Sequence, residues 1–152
     1  MPKHRWRRAG RLVRNGGWTL TEVLLVLAIV GILAAIALPQ YGQQQRQARR
    51  TDAQAALLQL QIDQARYRGS HERFATDTLA LGWPGDRSPQ GHYRLEISQA
   101  DAETYIAEAH AVGTQAKDLG CSPMRLIWRH AATVVLSSGK DLSGDPAGCW
   151  RQ

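Results

Sequence analysis

Sixteen residues from Val23 to Leu38, VLLVLAIVGILAAIAL, pass without a polar side chain. Extended back to Trp18 the run covers 21 residues with one charge, Glu22, and two threonines. At 1.5 Å per residue such a helix spans roughly 30 Å, the thickness of a bilayer's hydrocarbon core. The pattern changes at Pro39. From Gln40 to about Arg68 the chain is rich in Gln, Ala and Arg, and Ala48, Ala55, Leu58, Ile62 and Ala65 recur at spacings of 7, 3, 4 and 3. That periodicity predicts an amphipathic helix with these five residues toward the core and Arg46, Arg49, Arg50, Asp52 and Gln54 on the other face. Gly69 stands where a helix stop is expected. The stretch 69–90, with Gly82, Pro84, Gly85 and Pro89, reads as a loop with room for one short helical turn.

Beyond it the period shortens to two. Tyr93, Leu95 and Ile97 alternate with His92, Arg94 and Glu96, and Tyr105, Ala107, Ala109 and Ala111 alternate with Ile106, Glu108 and His110. Residues 98–103 suit a hairpin loop. A third alternation sets Met124, Leu126 and Trp128 against Arg125, Ile127 and Arg129, and a fourth apolar run covers 133–136. A long helix followed by four antiparallel strands predicts an α+β domain, the helix stripe covering one sheet face.

Charge sharpens this division. Of 19 Lys and Arg, six lie in the first 17 residues with no acid among them; the other 13 balance the 13 Asp and Glu of the remaining chain. The pI near 9.9 therefore describes a basic leader held on the cytoplasmic side of a membrane and a formally neutral body. Three readings of the apolar run are open on these grounds: a secretory signal peptide with an A-x-A site at Ala35, Ile36 and Ala37, a single-span anchor, and a leader cut between Gly17 and Trp18 that leaves the apolar helix in place. Glu22 distinguishes them. A carboxylate within a spanning helix costs about 2.5–3.5 kcal/mol unless it is paired, and a signal peptide gains nothing from it. With Trp18 as a free amino terminus, Glu22 lies one helical turn away, where it can neutralise the terminal ammonium of a neighbouring subunit.

The segment GGWTLTEVLLVLAIVGILAAIALPQY resembles the processing and methylation motif of type IV prepilins. The resemblance assigns leader cleavage to Gly17 and Trp18, N-methylation to Trp18, subunit assembly to Glu22 and a helix kink to Pro39. Trp18 departs from the usual Phe after the cut. The stretches SPQGHYRLEI, VGTQAKDLGC, GK and the terminal CW are similar to minor pilins of the PilE type, so the likeness covers most of residues 17–150. It implies the pilin fold: a long N-terminal helix, membrane-embedded in its first half, on a four-stranded antiparallel sheet with a C-terminal disulfide loop. The expected division is a cleaved leader over 1–17, a transmembrane and filament-core helix over 18–39, its amphipathic half over 40–68, and a globular head over 69–152.

Cys121 and Cys149 are the two cysteines. Both follow the membrane segment, on the side the basic leader assigns to the periplasm, and their spacing fits neither C-x-x-C nor a zinc site. A structural bridge is expected, and the resemblance implies the same bond. The five histidines show no H-x-x-x-H or H-E-x-x-H spacing, and no P-loop, dinucleotide fingerprint or G-x-S-x-G occurs. Neither an enzyme nor a bound cofactor is expected. Gly31 and Ala35 form a small-xxx-small pair, as apt for close helix contact as for ordinary membrane composition. Trp83, Trp128 and Trp150 read as packed rather than as surface anchors.

These features, with the resemblance, predict a minor type IV pilin for pilus assembly. It would sit in the inner membrane as a single span with a periplasmic C-terminus, then in the pilus on the cell surface. The implied partners are the prepilin peptidase and methyltransferase, major and minor pilins and the pilus assembly platform. Two other readings are a DNA receptor for natural transformation and a type II secretion pseudopilin. For the first, Arg94, Arg125 and Arg129, with His92, would form a nucleic-acid-binding patch on the sheet face away from the helix, diluted by Glu96 and Glu108. The cysteine pair and terminal CW lean away from the second.

Overall fold

A computed structural model of the chain describes residues 17–129 and 133–151. Residues 1–16 of the expected 1–17 leader, and His130, lie outside them. The chain divides into two compact units, one ending at Pro39 and one beginning at Gln40.

Helix α1 runs Leu20–Arg68 and continues through Pro39. It starts where Thr19 caps it: the Glu22 N–H reaches the Thr19 Oγ1 at 3.2 Å and its carbonyl at 3.1 Å. Glu22 thus sits in the first turn, at the positive end of the helix macrodipole. This differs from a charge placed within the rod, because Thr19 starts the helix two residues later than the apolar run extended to Trp18 suggests. The cost of the carboxylate is correspondingly lower. In this unit Val23, Leu27, Ile32, Leu33 and Ile36 are all exposed. Among the described residues α1 is long and apolar enough to cross a membrane.

In the second unit four strands follow the helix: β1 Tyr93–Ala100, β2 Tyr105–Ala111, β3 Met124–Arg129 and β4 Thr133–Ser138. They form one antiparallel sheet in chain order. β1 is longer than the alternation suggests. A bulge at Ser98, between Ile97 and Gln99, lets Gln99 and Ala100 pair with Ile106 and Tyr105, so the hairpin shrinks to the residues around Asp101. Asp101 closes that turn by accepting the N–H groups of Glu103 and Thr104 at 2.7 and 2.6 Å.

The core lies between helix and sheet. Ala53, Ala56, Leu57 and Leu60 meet Tyr93, Leu95, Tyr105, Ala107, Ala109, Met124 and Leu126. The inward strand residues are those the period-two pattern picks out. The helix face is not: Leu58 is 49% and Ile62 55% exposed, and Ala48, Ala55 and Ala65 are exposed too. Polar residues at buried positions cause the difference. Asp52, only 2% exposed, accepts the Ser88 hydroxyl at 2.6 Å and the N–H groups of Gln90 at 3.0 Å and His92 at 3.3 Å. Gln64 donates to the Ala75 carbonyl at 2.8 Å and accepts its N–H at 2.9 Å, while Asp63 accepts the Trp83 indole N–H at 3.0 Å. Fully paired, these groups are tolerated in the core. They dock the 69–92 loop and select which helix face turns inward.

Candidate functional site

At the start of the first unit, Gly17 and Trp18 precede the capped turn, and Trp18 is 73% exposed. Glu22 is exposed in the first helical turn, four residues after Trp18, which itself precedes the helix. The structure therefore brings the predicted cleavage, methylation and assembly positions onto one short, accessible segment. Gly31 and Ala35 follow on the same exposed helix, and a Cβ added to Gly31 would meet nothing within 4 Å.

On the outer sheet face, strand register sets Arg94 opposite His110, Glu96 opposite Glu108, and Glu108 opposite Arg125. Arg94, Arg125 and Arg129 thus share a face, as their alternation predicts, but they form no open basic patch. Arg94 lies 3.5 Å from Glu96, and His110 lies 3.7 Å from Glu96 and 3.4 Å from Glu108. Arg125, 8% exposed, pairs with Glu108 and donates to the Gly139 carbonyl at 2.7 Å. Two carboxylates directly opposite one another would repel; the cations on either side compensate, and the row is close to neutral. Arg129 is exposed.

Cys121 and Cys149 form a disulfide across 28 residues with their Cα atoms 5.6 Å apart, and both are buried in the core. Around it lies a set of contacts that the alternation pattern does not reveal. Two 3-10 turns, Gly113–Lys117 and Leu119–Cys121, make up the connection from β2 to β3. Arg50 grips Asp118 bidentately at 2.7 and 2.9 Å, and the bond to Asp118 raises the guanidinium pKa further. Gln115, fully buried, donates to the Tyr93 hydroxyl at 2.9 Å and to the Arg46 carbonyl at 3.0 Å. Burial pushes the Tyr93 phenol up to about 12. At the C-terminal end Asp145 accepts the Ser138 hydroxyl and, at 2.9 Å each, the N–H groups of Cys149 and Trp150. Gly139 has φ +64°, and a Cβ there would stand 2.9 Å from the Gly120 carbonyl, so position 139 needs glycine where the two arms of the disulfide-closed segment touch.

Trp83, Trp128 and Trp150 pack against the core; Trp150 donates its indole N–H to the Ser137 carbonyl at 2.9 Å and Trp128 stacks on Tyr105 with ring centroids 6.3 Å apart. Beside the disulfide a cavity of about 350 Å³ is lined by Gln47, Arg50, Thr51, Cys149 and Arg151. Among the described residues no group of three His, Cys, Asp or Glu is placed to hold a metal ion. The strongest signal missed in the sequence is Asp52 with Ser88. A helix acid, and a Pro89/Gly91 turn in which the N–H groups of Gln90 and His92 need acceptors, could have suggested the pairing.

Residues 39–125 match the family described as type IV minor pilin ComP, DNA uptake sequence receptor. The chain is 39% identical over 83 residues to the type IV major pilin PilE of Neisseria gonorrhoeae, covering 53% of this chain and 48% of that protein. It is 32% identical over 90 residues to the type IV major pilin PilA of Myxococcus xanthus, covering 59% and 41%. With the type IV wide pilus major component PilA4 of Thermus thermophilus identity is 32% over 104 residues, 67% of this chain and 79% of the relative. The match thus spans less than half of the Myxococcus and Neisseria proteins and most of the Thermus one. With a helix leading into a four-stranded antiparallel sheet closed by a C-terminal disulfide, and with more than half its length matched, the chain belongs to the type IV pilin family.

Proposed function

We propose that the chain is a minor type IV pilin. It enters the inner membrane with its C-terminus periplasmic, loses residues 1–17 to the prepilin peptidase, is methylated at Trp18, and joins a pilus through the assembly platform beside other pilins. In this reading residues 18–39 form the filament core, 40–68 the helical spine of the head and 69–152 the surface-facing domain, with Pro39 kinking the helix between the first two. The carrying observation is Glu22, exposed in the first turn of an exposed apolar helix and four residues from the one that cleavage would free. An ammonium on a neighbour's Trp18 gives that carboxylate a partner as the helices leave lipid. The minor rather than major role is supported by the matched family's description. Mass spectrometry of the mature protein tests this: an N-methylated Trp18 terminus is expected, and a terminus at Leu38 would make the chain an ordinary exported protein.

A second reading, DNA binding, is favoured by the same family description. Arg94 and Arg129 are the exposed members of the predicted set, Arg125 being engaged with Glu108, and Lys117 and Lys140 are exposed near the disulfide. Filter binding of the full chain in detergent should show affinity that falls steeply with salt and drops in Arg94→Ala/Arg129→Ala; binding indifferent to salt would exclude phosphate contacts.

A further inference from the structure

A cavity of about 210 Å³ in the second unit is bounded by α1, the loop after it and the sheet, and three of its six lining residues carry rings: Gln61, Ala65, Arg68, Phe74, Tyr105 and Trp128. Register sets Tyr105 of β2 directly opposite Trp128 of β3, with their rings nearly parallel at an interplanar angle of 9°. The loop supplies the third ring. Phe74 donates its N–H to the Asp101 carbonyl at 2.9 Å and tilts against Tyr105, ring centroids 4.8 Å apart. Gln64 clasps the next residue, Ala75, through both its N–H and its carbonyl, so the loop is held in place. The helix faces these rings with Ala65, whose methyl leaves open the space that a longer side chain would fill. Arg68 stands on the same wall. Two backbone carbonyls fix its guanidinium, that of Ala102 at 3.3 Å from Nε and that of His71 at 2.7 Å from Nη1. Arg50, Arg66, Arg94 and Arg125 each lie against a carboxylate, whereas Arg68 has none among the described residues. Its Nη2 takes no part in the carbonyl bonds and is left to donate.

We propose that this cavity binds a small aromatic carboxylate, its ring against the wall of Phe74, Tyr105 and Trp128 and its carboxylate on Arg68. The rings select a flat apolar group, which they can meet by face and by edge. Charge selects the sign. Three rings around one space would also attract a quaternary ammonium, but a guanidinium on the same wall repels a cation and gives a carboxylate a charge-assisted hydrogen bond. Size selects a small molecule, since about 210 Å³ falls below the roughly 300–1,000 Å³ of sites that take drug-sized ligands. The bonds of Gln64 to Ala75 and of Phe74 to Asp101 already hold the wall, so binding requires little ordering of the loop.

The test is a ligand-observed NMR titration of the full chain in detergent micelles, with phenylacetate as the probe and empty micelles as the blank. Hexanoate, 2-phenylethanol and benzyltrimethylammonium serve as comparators that lack the ring, the charge and the negative sign in turn. Saturable phenylacetate binding is expected with a dissociation constant of about 1 mM, the scale a ligand of this size reaches at modest efficiency. It should be at least about tenfold tighter than that of each comparator. Ala65 is exposed on the helix, so Ala65→Leu fills the cavity without breaking a buried contact and should weaken phenylacetate at least about tenfold. Arg68→Gln should lower phenylacetate to the level of 2-phenylethanol and leave 2-phenylethanol unchanged, a split that a merely structural role for Arg68 would not produce. No saturable phenylacetate binding by about 10 mM, a comparator that binds as tightly, or phenylacetate binding indifferent to both substitutions would overturn the proposal. An intact Cys121–Cys149 peptide in each variant shows that the head has folded.

Discussion

Asp145 holds the end of the chain to the sheet. Partial burial pushes its carboxyl up, but hydrogen bonds from Ser138, Trp150 and Cys149 outweigh that and keep the pKa below its ordinary value near 3.8. A carboxylate depressed in the folded state binds its proton more readily unfolded. Its contribution is therefore complete above the unfolded value and is lost as pH falls through the folded one. Acid titration of thermal stability should show a loss below about pH 4 that is smaller in Asp145→Asn, with that variant about 1–3 kcal/mol less stable at neutral pH; equal acid sensitivity would contradict the assignment. Tyr93 and Tyr105 move the other way, both phenols being raised by burial, so neither ionises in the neutral range. At this scale sequence was informative where chemistry is unambiguous, as for the two cysteines. It was less informative where a role depends on a distant partner: the alternation sets Glu108 on the face of Arg125, 17 residues away, but shows neither the ion pair between them nor the burial that removes the guanidinium from the outer surface.

Among the elements, strands and helix differ in legibility for a physical reason. Strand parity has only two outcomes, and one face full of Tyr, Leu, Ala and Met decides it. A helix offers a continuum of faces, and here two compete. The buried one carries Asp52, Asp63 and Gln64 among Ala53, Ala56, Leu57 and Leu60; the exposed one carries Leu58 and Ile62. By apolar periodicity alone the exposed face wins, because the loop that satisfies the buried polar groups lies outside the helix. Paired truncations measure the choice. Leu60→Ala should cost about 2–5 kcal/mol, whereas Leu58→Ala should stay within roughly 0.5 kcal/mol; the reverse order in denaturant unfolding would restore the stripe through Leu58. The disulfide is the other element-level constraint. Cys121→Ser/Cys149→Ser should lower stability by about 3–4 kcal/mol, as expected for a closed loop of this length, and a loss under 1 kcal/mol would mean that the surrounding bonds of Asp118 and Asp145 hold the segment unaided.

At the scale of the molecule the chain joins two kinds of surface. One unit leaves its leucines, isoleucines and valines exposed, with a single acid at the capped start. The other buries a two-layer core and carries an outer sheet face whose charges nearly cancel. The first arrangement is stable only in lipid or against other apolar helices, and in the proposed function it has both in turn. The abrupt change of hydropathy at Pro39 falls where the first compact unit ends. Why Glu22 is tolerable was only half readable: the capped first turn softens its cost in the isolated chain, and the proposed ammonium of a neighbouring Trp18 supplies the remaining partner. Replacing Glu22 by Gln keeps size and hydrogen bonding and removes only the charge. The most direct measurement is the amount of Glu22→Gln subunit recovered in sheared pili, relative to the amount processed in the membrane. Normal cleavage at Gly17 with incorporation reduced at least about tenfold, the factor that 1.4 kcal/mol of lost ion pairing gives, is the predicted result; incorporation equal to wild type would contradict the account.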